Sequence, residues 1–217
     1  MRFNLVLMGP PGCGKGTQAI RLARRFSIPH ISTGDILRQA VRDGSPLGRE
    51  VGALLATGAL VSDTLITSLV QDRLTKPDVS HGFILDGFPR TLAQAQRLGG
   101  MLPDDAPLVV ALIAVPEEEI VRRLSSRRLC ESCRITQSVS DASDPDSESC
   151  PYCGGRLVRR EDDEASTVRR RLATYAAEAE PVLSYYRQRQ GFVGIDGLQP
   201  PERVTTALFA EIARQTT

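Results

Sequence analysis

Six apolar residues, FNLVLM (Phe3 to Met8), run without interruption into GPPGCGKGT (Gly9 to Thr17). A short apolar run without alternation fits a strand buried on both faces of a parallel sheet. Glycines in the turn let consecutive backbone N–H groups converge on an anion, because a Cβ would block the approach. A helix opening at Lys15 adds the partial positive charge of its N-terminus. Strand, glycine-rich turn and helix together make a phosphate cradle. The lysine is informative in itself, since the chain has only Lys15 and Lys76 against 25 arginines. An ammonium is a compact, mobile point charge that can follow a phosphoryl group, and arginine's planar fork replaces it poorly. The general pattern G-x-x-x-x-G-K-[ST] puts a hydroxyl directly after the lysine. Here Gly16 stands there and Thr17 follows, so the hydroxyl that usually holds magnesium is displaced.

The same alternation continues along the chain. Short apolar runs at Pro29–Ile31, Gly82–Leu85, Leu108–Val115 and Phe192–Ile195 read as further buried strands. Helices are expected from Lys15 to about Phe26 and over Thr64–Leu74 behind a Ser62-Asp63 cap. Another starts at Pro116 with three glutamates near the positive end of its dipole, and a C-terminal one at Pro200-Pro201-Glu202. This order predicts an α/β fold, a doubly wound five-stranded parallel sheet built on the phosphate loop. A chain of 217 residues suffices for one core with inserted subdomains. The expected core comprises residues 1–31, 62–126 and 164–217. Residues 32–61 form one insertion, with two short helical segments and no strand between them. Residues 127–163 form the other, with four cysteines and the polar run SDASDPDSES, read as a solvated loop tip.

A net charge of +1 argues weakly against a nucleic-acid binder. The longest apolar runs fall far short of the roughly 18 residues a membrane span needs. The apolar part of Met1 to Met8 is too short for a signal peptide, and no small-residue cleavage site follows. A cytoplasmic protein without nucleic-acid or membrane partners is therefore expected; no motif sets the oligomeric state, and a monomer is the expectation. In a reducing compartment paired cysteines suggest metal before disulfide. Cys130, Cys133, Cys150 and Cys153 follow C-x₂-C-x₁₆-C-x₂-C, the spacing of two knuckles sharing one tetrahedral zinc. Four thiolates close the coordination shell, so such a metal is structural, and iron fits the same ligands. Cys13 is left over as a small filler in the phosphate loop.

Further signals point to phosphate chemistry. FILDGFPR (Phe83 to Arg90) is an apolar strand ending in Asp86, the place where such folds put the carboxylate that holds magnesium through water. Arg38, Arg90, Arg123, Arg127, Arg160 and Arg171 are candidates for clamping phosphates bidentately, and composition alone does not choose among them. The two histidines, His30 and His81, lie outside these motifs.

With these motifs in view, the chain resembles the adenylate kinase family, in its bacterial form with a long, zinc-bearing lid. The likeness runs over nearly the whole chain. GPPGCGKGT resembles that family's phosphate loop, in which the lysine is followed by Gly-Thr. ISTGDILR (Ile31 to Arg38) resembles the start of its acceptor-nucleotide segment, LDGFPRTLAQ (Leu85 to Gln94) its signature, and RREDDEASTVRRRL (Arg159 to Leu172) the hinge where the lid rejoins the core. The resemblance implies magnesium-dependent, reversible phosphoryl transfer from ATP to AMP, giving two ADP. It implies that Lys15 contacts the donor phosphates, wrapped by the backbone of Gly12, Cys13, Gly14, Gly16 and Thr17. Thr33, Arg38, Ala59, Leu60, Val61, Gly87, Phe88, Pro89, Arg90 and Gln94 would hold AMP. Arg123 and Arg127 would face ATP, Arg160 and Arg171 would bridge the reacting phosphates, and the Gln199 carbonyl would touch adenine. Lid contacts to ATP would come from Thr136 and Gln137. Many zinc-lid members carry an aromatic shortly after the second cysteine; here the stretch is RITQSVS, with Gln137 where the resemblance places tyrosine.

Other readings stand beside this one. A kinase for UMP or CMP shares most of the motifs, though the long lid and Gln94 favour adenylate. A zinc-ribbon nucleic-acid binder would share CPYCGG (Cys150 to Gly155) but would not need DGFPR. A regulatory switch ATPase would retain its product without transferring phosphate to AMP.

Overall fold

The computed structural model describes residues 2–102, 107–133, 135–138 and 149–216. In chain order the elements are β1 (Phe3–Met8), α1 (Lys15–Phe26), β2 (His30–Ser32), α2 (Thr33–Arg42), α3 (Pro46–Thr57), α4 (Asp63–Leu74), β3 (Gly82–Asp86), α5 (Leu92–Gly99), β4 (Leu108–Ala114) and α6 (Glu117–Ser126). There follow β5 (Arg127–Cys130), β6 (Thr136–Ser138), β7 (Leu157–Val158), α7 (Ala165–Arg187), β8 (Phe192–Asp196) and α8 (Pro201–Gln215). Five strands form an all-parallel sheet in the order β2-β3-β1-β4-β8. Among the described residues no helix is long and apolar enough to cross a membrane.

The unalternating runs behave as their sequences require. All six residues of β1 are buried, because both faces of the sheet are covered. Phe3, Leu5 and Leu7 pack on one face with Leu22 of α1 and Leu208 of α8. Val6 and Met8, turned to the other face, pack with Leu98 of α5 and Val182 of α7. The central strand is thus held from both sides, and its C-terminal end has little freedom to move.

Several boundaries differ by one residue from the sequence reading. Pro29 lacks an N–H and only accepts, from Ile84 N–H at 2.9 Å, so β2 begins at His30. Pro116 and Pro200 are extended cap residues preceding their helices rather than first-turn residues. The cysteine-bearing segment forms a small antiparallel sheet, β6-β5-β7. The polar run SDASDPDSES lies outside the described residues except for Ser149.

Helix starts divide into two kinds. Ser32, Ser45, Ser62 and Thr91 cap α2 to α5, each accepting a backbone N–H three residues on. The N-cap of α1 is Gly14 at φ +103°, and no side chain caps that helix, nor α6, α7 or α8. The first N–H groups of α1 are left to whatever enters the loop.

Leu22 is fully buried, whereas Leu198 is half exposed. Leu22→Ala is expected to cost about 2–5 kcal/mol in denaturant unfolding. Leu198→Ala should stay within about 0.5 kcal/mol of the parent.

Candidate active site

The carboxyl ends of the parallel strands share one edge, where open α/β sheets bind ligands. β1 lies between β3 and β4 and delivers the glycine loop to the middle of that edge. Within the loop, Lys15 Nζ donates to the carbonyls of Gly9 (2.8 Å) and Pro10 (2.9 Å) and lies 3.6 Å from Cys13 Sγ. Cys13 is buried and fills the space beneath the loop, as expected of a small side chain. Gly12 sits at φ +87°, and a Cβ there would approach Leu124 Cγ to 2.8 Å. The loop therefore lies against α6 with no room for a side chain.

Asp86 closes β3 opposite the loop. A Cβ on Gly16 would stand 3.6 Å from Asp86 Oδ2, so the position that usually carries a hydroxyl looks toward the carboxylate. Burial opposes the charge on Asp86, yet His30 beside it and the Lys15 ammonium hold its carboxyl below the ordinary range. His30 Nε2 is 3.6 Å from Asp86 Oδ2. This corrects the reading that leaves His30 outside the motifs. The parallel register sets Ser32 beside Asp86, and His30 reaches the same strand end.

The arginines fall into two groups, each organised by carboxylates. Arg123 Nε is held by Glu119 Oε1 at 2.6 Å, and its Nη2 donates to Gly197 O at 2.8 Å, toward the loop that leads to α8. Arg127 is clamped by both oxygens of Asp163, whose side chain is fully buried. The second group gathers around Asp162. Arg160 grips it with Nε and Nη2 at 2.8 and 2.6 Å. Arg171 Nη1 stands 3.2 Å from it and Arg38 Nη1 3.7 Å. Burial works against the Asp162 charge, but Arg160 and Arg171 hold the carboxyl well below the usual carboxylate range.

A side pocket opens from the main cleft near Gly87. Thr33, Ala59, Leu60, Val61, Gly87 and Gln94 line it, with Arg38, Arg90, Asp162 and Arg171 at its mouth. Gly87 sits at φ +84°, and a Cβ there would meet Thr33 Oγ1 at 2.8 Å. Thr33 Oγ1 and Arg90 Nε both donate to the Gly87 carbonyl, at 3.0 and 2.8 Å. Gln94 accepts the Arg90 N–H at 2.8 Å and donates to Asp63 Oδ1 at 2.7 Å. One amide N–H and one carbonyl lone pair remain to it.

Lys15, Thr17, Asp86, Pro89, Arg90, Arg123, Arg127, Arg160 and Arg171 all line the main cleft. So do Thr136, Gln137 and Gln199, and Gln199 Nε2 is held by Asp196 Oδ2 at 2.9 Å. Phe88 departs from the expected set. Its side chain is buried in the core beneath the signature turn and lines neither cavity. The carboxylates Asp162, Asp163, Glu119 and Asp63 were missed from sequence. The acidic run in RREDDE, set among arginines, was the available signal for the first two. Tyr152, exposed between two cysteines and lining the cleft, was also missed.

The four knuckle cysteines present their sulfurs within 4.8 Å of one another, with Cys130 to Cys153 at 3.4 Å and Cys133 to Cys150 at 3.7 Å. A tetrahedron with metal–sulfur bonds of about 2.3 Å has edges of about 3.8 Å, so the set fits zinc. These separations far exceed the roughly 2.05 Å of a disulfide.

A capless helix behind a glycine loop, a strand-end carboxylate and a cationic cleft with a second pocket define a P-loop phosphotransferase. The adenylate kinase family model matches residues 7–191. The adenylate kinase of Kosmotoga olearia is 45% identical over 97% of this chain and 99% of its own length. That of Archaeoglobus fulgidus is 44% identical over 93% and 94%, and that of Moorella thermoacetica 43% over 98% and 99%. The chain belongs to the adenylate kinase family, the ATP:AMP phosphotransferases. Pyrimidine-nucleotide, nucleic-acid-binding and switch-ATPase readings are not favoured.

The depressed Asp162 carboxyl contributes stability that is present above the ordinary carboxylate pKa of about 4 and lost as pH falls through its lower folded value. Asp162→Asn should therefore melt below the parent at pH 7. The gap should narrow as the pH of the thermal scans drops below about 4.

Proposed function

We propose that this cleft transfers the terminal phosphoryl group of ATP to AMP, reversibly, with the donor on the glycine loop and the acceptor in the side pocket. The observation that carries the assignment is that Arg90 and Arg171 line both the main cleft, which Lys15 and Arg160 also line, and the Gly87 pocket. In the forward direction an oxygen of the AMP phosphate attacks the γ-phosphorus. The bond to the bridging oxygen breaks, and that oxygen leaves on ADP.

AMP is a phosphate monoester with a second pKa near 6, so at pH 7 it is mostly a dianion and needs no general base. His30, the histidine that does reach the cleft, faces Asp86 and lines the main cleft rather than the acceptor pocket. The difficulty is bringing two anions together, and the cationic side chains meet it by positioning and charge stabilisation. Lys15 follows the migrating phosphoryl group while the backbone of Gly12 to Thr17 wraps the donor phosphates. Arg123 and Arg127 hold the donor, Arg38 and Arg90 the acceptor phosphate, and Arg160 and Arg171 both. Thr33, the Ala59–Val61 segment and Gln94 surround the AMP nucleoside, and Gln199 lies beside the donor base. Phe88 supports the pocket from the core. Asp86 would hold magnesium through water, a single carboxylate suited to an ion that keeps most of its shell for phosphates and water. Magnesium held there would supply positive charge against the charge that develops on the transferred phosphoryl group.

We take residues 32–61 and 127–163 as two covers that close over the cleft and exclude water, which would otherwise accept the phosphoryl group. The four cysteines hold one structural zinc in the second cover. The protein is proposed to act as a monomer on ATP, AMP and ADP in the cytoplasm.

A phosphotransfer assay across acceptor monophosphates should show AMP strongly preferred over UMP, CMP and GMP. Equal or better turnover with a pyrimidine monophosphate would overturn the acceptor assignment.

Lys15→Arg should fail almost as badly as Lys15→Ala, because compactness and mobility matter as well as charge. Arg171→Ala should lower turnover on the order of a thousandfold, as for other arginines that stabilise the transferred phosphoryl group. Steady-state kinetics on the folded variants check both.

A further inference from the structure

The two cysteine knuckles treat their first sulfur differently. In the first, the backbone N–H of Cys133 points to Cys130 Sγ at 3.4 Å. In the second, a side chain from outside the knuckle supplies a donor to the first sulfur. Cys150 Sγ is met by the side chain of Gln137, whose Nε2 lies 3.5 Å away. Cys150 is almost fully buried, so its charge as a thiolate would be poorly solvated. A thiolate accepts hydrogen bonds and cannot donate them, so the nitrogen end of the amide must face it.

We propose that Gln137 is an outer-sphere donor to the metal-bound Cys150 thiolate and a positioning residue for the cleft. The proposal rests on the structural-metal reading. The N–H of Gln137 neutralises part of the sulfur's charge and strengthens the protein's hold on the ion. Outer-shell hydrogen bonds of this kind typically govern 10–100-fold in metal affinity. The same contact fixes β6, a three-residue strand paired only through Thr136, Gln137 and Ser138 to β5. Because Thr136 and Gln137 line the main cleft, the metal site and the nucleotide-facing surface meet in one side chain.

The test uses the full-length protein loaded with zinc and a chromogenic chelator that reports metal release. Gln137→Met keeps the length of the side chain and removes the donor; it should release zinc about tenfold faster than the parent. Gln137→Glu puts a carboxylate against the sulfur and should release it faster still. Gln137→Lys restores an N–H donor and should recover much of the retention. With cobalt(II) in place of zinc, the sulfur-to-metal charge-transfer band should shift in Gln137→Met, which a change in packing alone would not cause. Zinc release at the parental rate from both the Met and the Glu variants would overturn the inference. A parent that binds no metal would overturn the structural-metal reading, and this inference with it.

Discussion

Charge concentration is the constraint on which this structure turns. Lys15 and ten arginines, among the described residues, border one cleft, because the substrates they suit are polyanions. Without substrate, such a group repels itself. The protein offsets this with carboxylates set between the cations. Asp163 takes Arg127, Glu119 takes Arg123, and Asp162 stands among Arg160, Arg171 and Arg38. A bidentate Arg160–Asp162 pair has the same fork geometry that an arginine offers to a phosphate. The carboxylates thus hold the guanidiniums near the places where phosphate oxygens are proposed to lie. Less reorganisation is left for the moment of binding.

That arrangement needs a rigid reference, and β1 supplies it. A strand buried on both faces fixes the glycine loop relative to Asp86 on β3, in register from Phe3↔Gly82 to Leu7↔Asp86. The contrast among helix starts follows from the same economy. Helices α2 to α5 are capped by serine or threonine, whereas α1, α6, α7 and α8 open without a side-chain cap; of these, α1 follows the glycine loop, where the donor phosphates are proposed to lie. Lys15 binds the carbonyls of its own loop at Gly9 and Pro10, so the ammonium begins folded over the cradle.

The sheet was legible in the sequence because its strands are unalternating apolar runs, a pattern that depends on local burial alone. The cysteine cluster was legible because metal geometry restricts spacing. What escaped depends on distant meetings. Asp162 matters because α2, the turn before α7 and α7 itself converge on it, and no local pattern encodes that. His30 escaped because a single histidine in a short strand carries no periodic signal, and its contact with Asp86 exists only once β2 pairs with β3. Phe88 misled in the other direction. It stands in a signature that reads as a binding motif, yet its side chain packs the core and only its neighbours line the cleft.

The cysteine-bearing segment shows the opposite solution to the one used by the sheet. Its buried cluster consists of Cys130, Cys150 and Leu157, with Cys133 against it. Among the described residues, so small a cluster contributes little against a backbone entropy of about 1–2 kcal/mol per ordered residue. The parallel sheet is held by apolar area, which resists local change. The knuckles bring four sulfurs within 4.8 Å of one another, where the proposed structural metal would hold them. Tyr152 can therefore be largely exposed between two cysteines, and Gln137 can face the cleft, without loss of a core that was never there. In the chain, α6 leads into this proposed cover and α7 follows it. Stiffness within the knuckles and freedom at their attachment would both serve the proposed cover, which opens for nucleotide and closes against water.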